Sequence, residues 1–592
     1  MYGGQQMDKI NSEMIEETRE LIKNNLAQED TEENRFYKEK NRNHLGEEFE
    51  KYSERSEFNR DADRIIYSKA FRRLEHKAQV YSNKRGDHYR TRLTHTLEVT
   101  QIARSISRNL GLNEELAEAI ALGHDIGHTP FGHAGEEVLD EIMRGKDDLG
   151  GKLEFNMDYG GFKHNFNCLK ILEIVEKREK RTGLNLTWQT LDGILKHTKV
   201  IKGDKKWDLN RFVRDISNYE NIIKYDYFDE KSKPSYNFPL TLEGQVVNIS
   251  DEIAQREHDL DDSLRDGELF RFDDMFNEII KIMEEVFKET SLKNTGYELF
   301  CLLNEKIYEL CAIQNHKKWK ELTSIIISYF IIDVTENTMK KINEFDDLDD
   351  IIYFDEKNNK YIKEEIIDFS ETGTKVNKKI DEFIKHRIIY SFNVSRFDGK
   401  GKFILRQLFK AYYENPRQMP EKQLNILIKK IEKILIKYPQ LRKKFDDITF
   451  DFEELFNINE YNVDLTNLNP ILNILKFKNR DKLRYNLNSN KNFSEFLKNI
   501  MDIIGLNINE KIKHNYEVSK IIDEFYEYLF HFCNTQSIEE INSISNIEHR
   551  NFLLFSKGWN ELHYEYLSTI CDYISQMTDN YAIKEYHELY LD

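Results

Sequence analysis

Long amphipathic runs, in which apolar residues recur every three or four positions, most strongly limit what this chain of 592 residues can fold into. Alternating strand-like runs are rare, and the chain contains only seven prolines, so little interrupts the helical pattern. Apolar residues make up 39% of the sequence, which is ample for a core, and the length exceeds that of one ordinary core. We therefore predict an all-α protein, built as several packed layers or as one elaborated domain.

The periodicity also predicts individual helices. One extends from Phe162 to about Arg181, and a second from Leu186 to about His197, with an N-cap near Thr187. A longer helix covers 242–264, and the last helix covers about 559–590. The acidic stretch from Asp346 to Lys363 is predicted to be an exposed loop or a small hairpin.

The adjacent pair His124-Asp125 is the most informative chemical motif of the chain. An imidazole and a carboxylate that are neighbours in sequence can bind one ion only where the backbone turns sharply, as at the end of a helix. Gly123 and Gly127 flank the pair and permit such a turn. By itself the pair is a weak signal, because most histidines in helices are ordinary core or surface residues.

Two further residues make the pattern stronger. His95 lies in an amphipathic helix upstream, and Asp251 interrupts the apolar face of the 242–264 helix. A carboxylate among apolar neighbours is costly unless it is paired or ligates a cation. Two imidazoles and two carboxylates suit Mn²⁺, Fe²⁺ or Co²⁺ better than Ca²⁺ or an all-oxygen Mg²⁺ site. We therefore predict one divalent metal ion, bound by His95, His124, Asp125 and Asp251.

Acid–base and phosphate-binding groups are predicted around this site. His133 and Glu136 are three residues apart and share a helix face, so Glu136 could orient an imidazolium that protonates a leaving oxygen. The alternative is that Glu136 only stabilises a helix N-terminus. Arg92 precedes His95 by one helical turn and could clamp a phosphate, or it could form a buried salt bridge.

The net charge of −19 argues against an extended nucleic-acid-binding surface. A phosphate site would need a local basic cluster, and residues 60–92 provide ten Lys or Arg against four Asp or Glu. We find no signal peptide and no apolar run that could span a membrane, so no membrane association is expected. The five scattered cysteines have no metal-ligand spacing and indicate a reducing, cytoplasmic location.

Several stretches make the chain resemble the HD-domain dGTP triphosphohydrolase family rather than HD proteins in general. The similarity covers most of 59–265 and the C-terminal end. Matching stretches are Asp63–Leu74, His76–Val80, Asp87–His95, Gly123–Glu136, Gly161–Asn165, Glu243–Leu260 and Asp572–Asp579.

The resemblance implies an all-α HD fold with additional helical segments, and hydrolysis of dNTP, with dGTP the first choice, to deoxynucleoside and tripolyphosphate. It implies a Mn or Mg cofactor, with Fe or Co as alternatives. Where the family usually has Tyr four positions after the metal Asp, this chain has Gln255. The implied roles are metal binding for His95, His124, Asp125 and Asp251; acid–base chemistry for His133 and Glu136; sugar and phosphate contacts for Gln79, Arg92, His128 and Asp259; and an approach to the nucleotide pocket for Tyr573 and Asp579.

The resemblance further implies a homo-oligomer that binds a dNTP substrate and a regulatory nucleotide. It leaves open whether hydrolysis balances the dNTP pool or deprives a virus of dNTPs. Alternatives are an HD phosphohydrolase acting on another nucleotide and a nucleotide-sensing regulatory protein. We expect five segments: 1–50, a charged helix and link; 51–270, the catalytic core; 271–420, a helical extension; 421–550, a helical insertion of unknown or regulatory role; and 551–592, a C-terminal helix that completes the nucleotide pocket.

Overall fold

The computed structural model confirms that the protein is all-α, with only two small hairpins of β-strand among the described residues. None of the helices described is both long enough and apolar enough to cross a membrane. The structure describes residues 2–31, 35, 55–79, 89–151, 153, 158–178, 181–198, 211–213, 238–265, 272–290, 315–439, 532 and 536–591.

The chain divides into two compact units. The first unit comprises Met1–Glu137, Phe162–Phe403 and Ser575–Lys584, and the second comprises Val138–Gly161, Ile404–Ile574 and Glu585–Asp592. The helices are α1 (Tyr2–Asn25), α2 (Glu57–Ile66), α3 (Lys69–Arg73), α4 (Arg92–Leu110), α5 (Glu114–Gly123), α6 (Gly132–Met143), α7 (His164–Lys170), α8 (Trp188–Lys196), α9 (Leu242–Arg265), α10 (Phe272–Thr290), α11 (Asn315–Asn343), α12 (Glu371–Ile384), α13 (Phe392–Glu414), α14 (Glu421–Lys437), α15 (Ile538–Asn542), α16 (Ile547–Ser575) and α17 (Asp579–Tyr590). The strands are β1 (Lys177–Arg178), β2 (Arg181–Thr182), β3 (Ile352–Phe354) and β4 (Lys360–Ile362), paired antiparallel as β1–β2 and β3–β4.

Helix α4 is central to the first unit, and its sequence defines both of its ends. The Thr91 side chain caps the N-terminus by accepting a hydrogen bond from the Thr94 backbone N–H, and the Thr94 side chain accepts one from the Thr91 backbone N–H. Gly111 ends the helix in the left-handed conformation, with φ of 73°. Between these ends α4 packs against α5 and α9 through its apolar face. That face comprises Val99, Ile102, Ala103, Ile106 and Leu110, all buried.

The predicted helix from Phe162 to about Arg181 is wrong in its length. The structure has α7 from His164 to Lys170, continued by a wider π turn over Ile171–Val175, and then the β1–β2 hairpin. Gly183 follows the hairpin with φ of 84°, a conformation that few side chains tolerate. The next helix, α8, agrees with its prediction, because the Thr187 side chain caps it by accepting from the Thr190 backbone N–H.

Two other predictions are refined. The acidic stretch 346–363 contains the β3–β4 hairpin, which is tied to the core because the Ile362 N–H donates to the Leu240 carbonyl. The predicted last helix over 559–590 is two helices, α16 and α17. The chain breaks between them because Thr578 accepts hydrogen bonds from the Tyr581 and Ala582 backbones, which starts a new helix there.

The second unit pairs α14 with α16. Lys430 Nζ lies 2.9 Å from a Glu565 oxygen, and Lys437 Nζ lies 2.8 Å from a Glu561 oxygen. The buried ring of Tyr573 packs 5.4 Å from that of Tyr412, measured between centroids. Of the predicted insertion 421–550, most residues lie outside the described part of the chain.

Candidate metal centre

Three segments of the first unit bring the four predicted metal ligands together. His95 lies on α4, His124 and Asp125 directly follow α5, and Asp251 lies on α9. His95 Nε2 is 2.9 Å from Asp251 Oδ1, and His124 Nε2 is 3.6 Å from the same oxygen. His124 Nε2 is also 3.5 Å from Asp125 Oδ1. The four side chains therefore converge on one small volume.

The glycines beside the His-Asp pair allow close packing at this turn. A side chain at Gly127 would come within 2.2 Å of the His164 carbonyl oxygen, and one at Gly123 within 2.3 Å of Ile194. Cys168 links the same turn to α7, because its sulfur accepts from the Gly127 N–H and donates to the His124 carbonyl. The tight turn is therefore fixed from several sides.

Hydrogen bonding defines which nitrogen of His124 faces the site. Its Nδ1 lies 2.7 Å from the Ala121 carbonyl oxygen, which can only accept a hydrogen bond, so Nδ1 carries the proton. In the neutral ring Nε2 then has a free lone pair. This buried Nε2 has no hydrogen-bond partner among the described residues. An imidazole held in this way has the arrangement typical of a metal ligand.

His95 is held by a chain of two further side chains. His258 Nε2 donates to the Glu98 carboxylate, which leaves His258 Nδ1 as an acceptor. His95 Nδ1 is 2.9 Å from that nitrogen and donates to it. The lone pair of His95 Nε2 therefore faces the Asp251 carboxylate, an arrangement that is unfavourable unless a proton or a cation lies between them.

The electrostatics of the group favour a cation. Burial alone would raise the pKa values of Asp125 and Asp251, but neighbouring histidines, and Arg92 in the case of Asp125, outweigh burial and hold both pKa values well below the usual range. Burial opposes charge on His124, yet the two carboxylates raise its pKa to about 9, so Nε2 binds a proton at neutral pH unless a metal ion takes the proton's place. Both carboxylates are therefore ionised and attract positive charge. Three of the ligands, His95, His124 and Asp251, offer atoms within 4.8 Å of one another.

The donor set fits a divalent transition metal. Imidazole nitrogens and carboxylate oxygens suit ions such as Mn²⁺ or Fe²⁺, and the unpaired His124 nitrogen is available to bind one.

Arg92 and His128 both contact the predicted ligand Asp125. Arg92 Nη1 donates to Asp125 Oδ2 at 2.7 Å, and His128 Nε2 is 3.1 Å from Asp125 Oδ1. Arg92 thus forms the buried salt bridge that was the alternative to a phosphate clamp. Its Nε, like His128 Nδ1, has no hydrogen-bond partner among the described residues. Arg92 Nε can therefore donate to a ligand, whereas His128 Nδ1 can accept from one, because His128 Nε2 faces the Asp125 carboxylate and carries the ring proton.

His133 and Glu136 lie together on α6, with Glu136 paired to a residue that the sequence did not single out. Glu136 Oε2 is 2.6 Å from His164 Nδ1. His128, His133 and Glu136 offer ligand-type atoms within 4.8 Å of one another. His133 is exposed to solvent on part of its surface, but protein atoms surround much of its imidazole ring. The resulting loss of solvation lowers its pKa, against the opposing effect of Glu136.

The loop between the His-Asp pair and α6 packs against both the Arg92 side chain and the Gln79 backbone. Phe131 and Gly132 have φ of 61° and 58°. A side chain at Gly132 would meet Arg92 Nη2 at 2.8 Å and the Gln79 carbonyl oxygen at 3.6 Å. The loop therefore passes directly over the guanidinium, and glycine is needed at its tightest point.

The remaining predicted substrate residues differ in their surroundings. Gln79 Oε1 and Asp259 Oδ1 are buried acceptors without a partner among the described residues. Asp579 instead accepts from the backbone N–H groups of Ala78 and Phe131, at 2.8 and 2.9 Å. It thereby fixes the two loops that carry Gln79 and Gly132. Tyr573 belongs to the second unit, described above.

Three histidines near the centre had no role in the sequence-based prediction. His164 belongs to a quoted family-like stretch, and His197 was only the end of a predicted helix. His258 follows Asp251 by seven residues, two turns of α9, so helical spacing could have indicated it.

The helical fold and the His, His-Asp, Asp group define an HD domain, and the family model of the HD domain matches residues 92–255. That range contains all four predicted metal ligands. Similar proteins include deoxyguanosinetriphosphate triphosphohydrolase-like proteins from Geobacter metallireducens (35% identical over 373 residues, covering 62% of this chain and 80% of the relative) and Rickettsia rickettsii (34% over 370 residues, 62% and 82%). A protein of the same description from Pelagibacter ubique is 34% identical over 367 residues, covering 62% of this chain and 84% of the relative. The chain belongs to the family of deoxyguanosinetriphosphate triphosphohydrolase-like proteins.

Proposed function

We propose that the protein is a metal-dependent dNTP triphosphohydrolase that releases a deoxynucleoside and tripolyphosphate. The observation that carries the proposal is the group of His95, His124, Asp125 and Asp251, in which the buried His124 Nε2 lacks a protein partner among the described residues. The relatives' description makes dGTP the first substrate to test. A divalent ion bound by these four residues would lower the pKa of a water molecule and offset phosphate charge.

Arg92 is the residue best placed to contact the triphosphate. Its guanidinium is buried beside Asp125, and its Nε has no hydrogen-bond partner among the described residues. If the Arg92 guanidinium also donates hydrogen bonds to phosphate oxygens, in addition to or in place of its bond to Asp125, it would both bind and orient the substrate. His128 Nε2 faces the Asp125 carboxylate and carries the ring proton, so the unpaired Nδ1 of the neutral ring would accept a hydrogen bond from a substrate hydroxyl.

His133 is proposed to protonate the oxygen of the leaving deoxynucleoside. Its pKa is lowered in the protein, chiefly because the surrounding protein atoms reduce the solvation of its ring. The negative charge of a bound triphosphate would raise that pKa again, because a nearby anion favours the imidazolium. Glu136 acts in the same direction and also holds His164. The pair would thus become competent for proton transfer when substrate binds.

Recognition of the sugar is assigned to buried acceptors. Gln79 Oε1 and Asp259 Oδ1 are without partners among the described residues, and a sugar hydroxyl would supply the missing donor. Gln255 lies one helical turn after Asp251 on the same face of α9, and both are partly exposed. If position 255 contacts the sugar, Gln255→Tyr will raise the ratio of kcat/KM for dGTP to that for GTP. An unchanged ratio would remove position 255 from the sugar site.

The activity is tested by incubating the protein with each dNTP, singly, with Mn²⁺ or Mg²⁺, and resolving all products. Tripolyphosphate and deoxynucleoside in equal amounts are the expected products. The His124→Ala protein, purified in the same way, controls for contaminating phosphatases. Pyrophosphate or orthophosphate as the first product would instead indicate a phosphohydrolase of another type. Nucleotide binding without metal-dependent turnover would indicate a sensor.

We also propose that a second nucleotide, bound away from the metal centre, regulates hydrolysis. A cavity of about 380 Å³ in the first unit is rich in cations, which suits a polyphosphate. Its basic residues are Arg55, Arg60, Arg64, Lys69, Arg72 and Lys177, with Asp63 and Glu176 among the others. The basic residues Lys429, Lys430 and Lys433 of α14, which lies in the predicted insertion 421–550, are the other candidates for a regulatory site, and Lys430 is paired with Glu565. The hydrolysis rates measured with every pair of dNTPs should then differ from those expected for simple competition. The Lys69→Ala substitution should reduce this difference more than Lys429→Ala does.

A further inference from the structure

A lysine is buried beside the proposed substrate-binding residues. The side chain of Lys77, which follows α3, is only 2% exposed. Lysine is one of the residue types that are rarely buried in this way. Burial and the neighbouring guanidinium of Arg73 lower the pKa of its ammonium group to about 7, although Asp579 opposes the shift. An apolar side chain of similar volume would avoid the cost of burying an amine, so the contacts of Lys77 require an explanation.

The amine of Lys77 connects two segments that are far apart in the sequence. Its Nζ donates to the main-chain carbonyl of His128 and lies 3.3 Å from the carbonyl oxygen of Ser575. His128 lies three residues after Asp125, and Ser575 is the last residue of α16. All of these residues belong to the first unit. Because both acceptors are main-chain atoms, Lys77 fixes the path of the backbone at each of them.

The main chain of Lys77 holds a second proposed substrate residue. Its carbonyl oxygen accepts from the Arg92 N–H at 3.0 Å, and the next residue, Ala78, pairs with Thr91 in an antiparallel bridge. Arg92 is the first residue of α4, where backbone N–H groups have no partner within the helix. Lys77 satisfies one of these groups. A single residue therefore contacts the backbones of both Arg92 and His128.

The loop from His128 to Gly132 needs such support. Phe131 has a φ of 61°, a conformation that is costly for a residue other than glycine and persists only where its surroundings hold it. Asp579 holds one end of the loop, because it accepts from the Phe131 N–H and also from the Ala78 N–H. Lys77 holds the other end through the His128 carbonyl. The two contacts together fix the position and the direction of the loop.

We propose that Lys77 is a positioning residue for hydrolysis, which holds the His128 backbone so that the His128 ring and the Arg92 guanidinium face the same substrate. The unpaired atoms that would meet the substrate are His128 Nδ1 and Arg92 Nε. A displacement of about 1 Å in a residue that positions a substrate can lower the rate by about 100-fold. The role in hydrolysis rests on the proposed function, whereas the support of the loop by Lys77 does not.

A double-mutant cycle tests whether Lys77 acts through His128. Lys77→Met keeps the length of the side chain but removes the donor, and it should lower kcat/KM for the dNTP substrate by about 10–100-fold. In a His128→Ala background the same change should cost no more than about twofold, because its target is already absent. Lys77→Arg, which can still donate to the carbonyl, should recover part of the activity. Bound manganese per chain should stay at the wild-type value in every variant.

The matched control is Leu110→Ala, which removes a fully buried side chain at the opposite end of α4 from Arg92. It should destabilise the protein without changing kcat/KM of the folded enzyme. Circular dichroism establishes that each variant is folded. If Lys77→Met does not fold, Lys77→Gln, whose shorter side chain cannot reach both carbonyls, replaces it with the same expectations. Equal losses of kcat/KM with and without the His128 side chain would overturn the proposal, because Lys77 would then support the fold in general.

Hydrogen exchange of the backbone amides, followed by mass spectrometry, tests the support of the loop without any substrate. Lys77→Met should accelerate exchange in residues 126–132, whereas Leu110→Ala should leave exchange there unchanged. Unchanged exchange in Lys77→Met would overturn the proposal even if activity falls. A wild-type protein that hydrolyses no dNTP would overturn the proposed function and the role of Lys77 in hydrolysis, while faster exchange in the variant would still support the contact with the loop.

Discussion

His258 is expected to determine how strongly His95 binds metal. In the structure Glu98 accepts from His258, and His258 accepts from His95 Nδ1 at 2.9 Å. This chain of hydrogen bonds leaves His95 Nε2 free to bind an ion. Both histidines are 1% exposed, so water cannot readily replace His258 as the acceptor. His258→Leu removes the acceptor while keeping a side chain of moderate size.

Two physical effects determine the size of the change. A buried N–H left without an acceptor costs about 1–3 kcal/mol. The ring of His95 could avoid this cost by moving its proton to Nε2, but Nε2 then cannot bind a metal. Loss of such supporting hydrogen bonds typically weakens metal affinity by about 10–100-fold. We therefore expect the Kd for Mn²⁺ to rise by about 10–100-fold, which corresponds to roughly 1.4–2.8 kcal/mol.

The matched variant is His258→Asn, because the Asn side-chain oxygen can accept from His95 in place of Nδ1. Calorimetric titration with Mn²⁺ should give a Kd nearer to the wild-type value for Asn than for Leu. Thermal unfolding without metal separates loss of affinity from loss of fold. A His258→Leu protein that is folded and binds Mn²⁺ as tightly as wild type would refute the orienting role of His258.

Three further substitutions test residues in and around the candidate metal centre. His124→Ala should abolish turnover with the circular dichroism spectrum preserved, and activity restored by saturating Mn²⁺ would argue against its role as a ligand. His133→Ala should lower kcat by about 10²–10⁴-fold with metal content unchanged, as is usual for a positioned acid; loss of metal would instead make His133 a ligand. Asp579→Asn removes one of two acceptors for buried backbone N–H groups and should lower the free energy of unfolding by about 1–3 kcal/mol, measured with urea. An unchanged unfolding midpoint would show that these two bonds do not hold the loops.

The parts of the site that lie in one helix or one turn could be predicted from the sequence. The His124-Asp125 pair and the glycines beside it are adjacent in sequence, although the structure requires Gly127 for close packing against His164 and Cys168. His164 and His197 could not be assigned roles, because they approach each other only when α7 packs beside α8. Their individual positions, one at a helix start and one at a helix end, are typical of many histidines without function.

Similar reasons explain the errors in helix length. The predicted helix from Phe162 had a continuous apolar pattern, but the chain widens to a π turn and then reverses in the β1–β2 hairpin. The predicted last helix had helical periodicity throughout, although Thr578 caps a new helix within it. Periodicity shows which face of a segment is buried. In each interrupted segment the residues before and after the break both bury an apolar face, so the apolar pattern continues across the break. Only local hydrogen bonds reveal such breaks.

Asp259 offers a test in which stability and activity should change in opposite directions. Burial, together with Asp262 and Asp381, raises the pKa of its carboxyl group from 3.8 to about 7, although Arg256 opposes the shift. Because the pKa is higher in the folded than in the unfolded protein, ionisation destabilises the fold. The penalty is absent below about pH 4, grows as the pH rises, and is complete above the folded pKa near 7.

Asp259→Asn removes the charge and therefore the penalty. Since one pKa unit corresponds to about 1.4 kcal/mol, the variant should be more stable than wild type by on the order of 2–4 kcal/mol at pH 8, with little difference at pH 4. Urea unfolding at the two pH values measures this. If the unpaired oxygen of Asp259 binds a sugar hydroxyl as a carboxylate, the same variant should have a lower kcat/KM for dGTP, because the neutral amide oxygen is a weaker acceptor than an ionised carboxylate. A residue that costs stability yet supports activity is retained for function. A variant that is stabilised at pH 8 and fully active would show instead that catalysis does not depend on a charged acceptor at position 259.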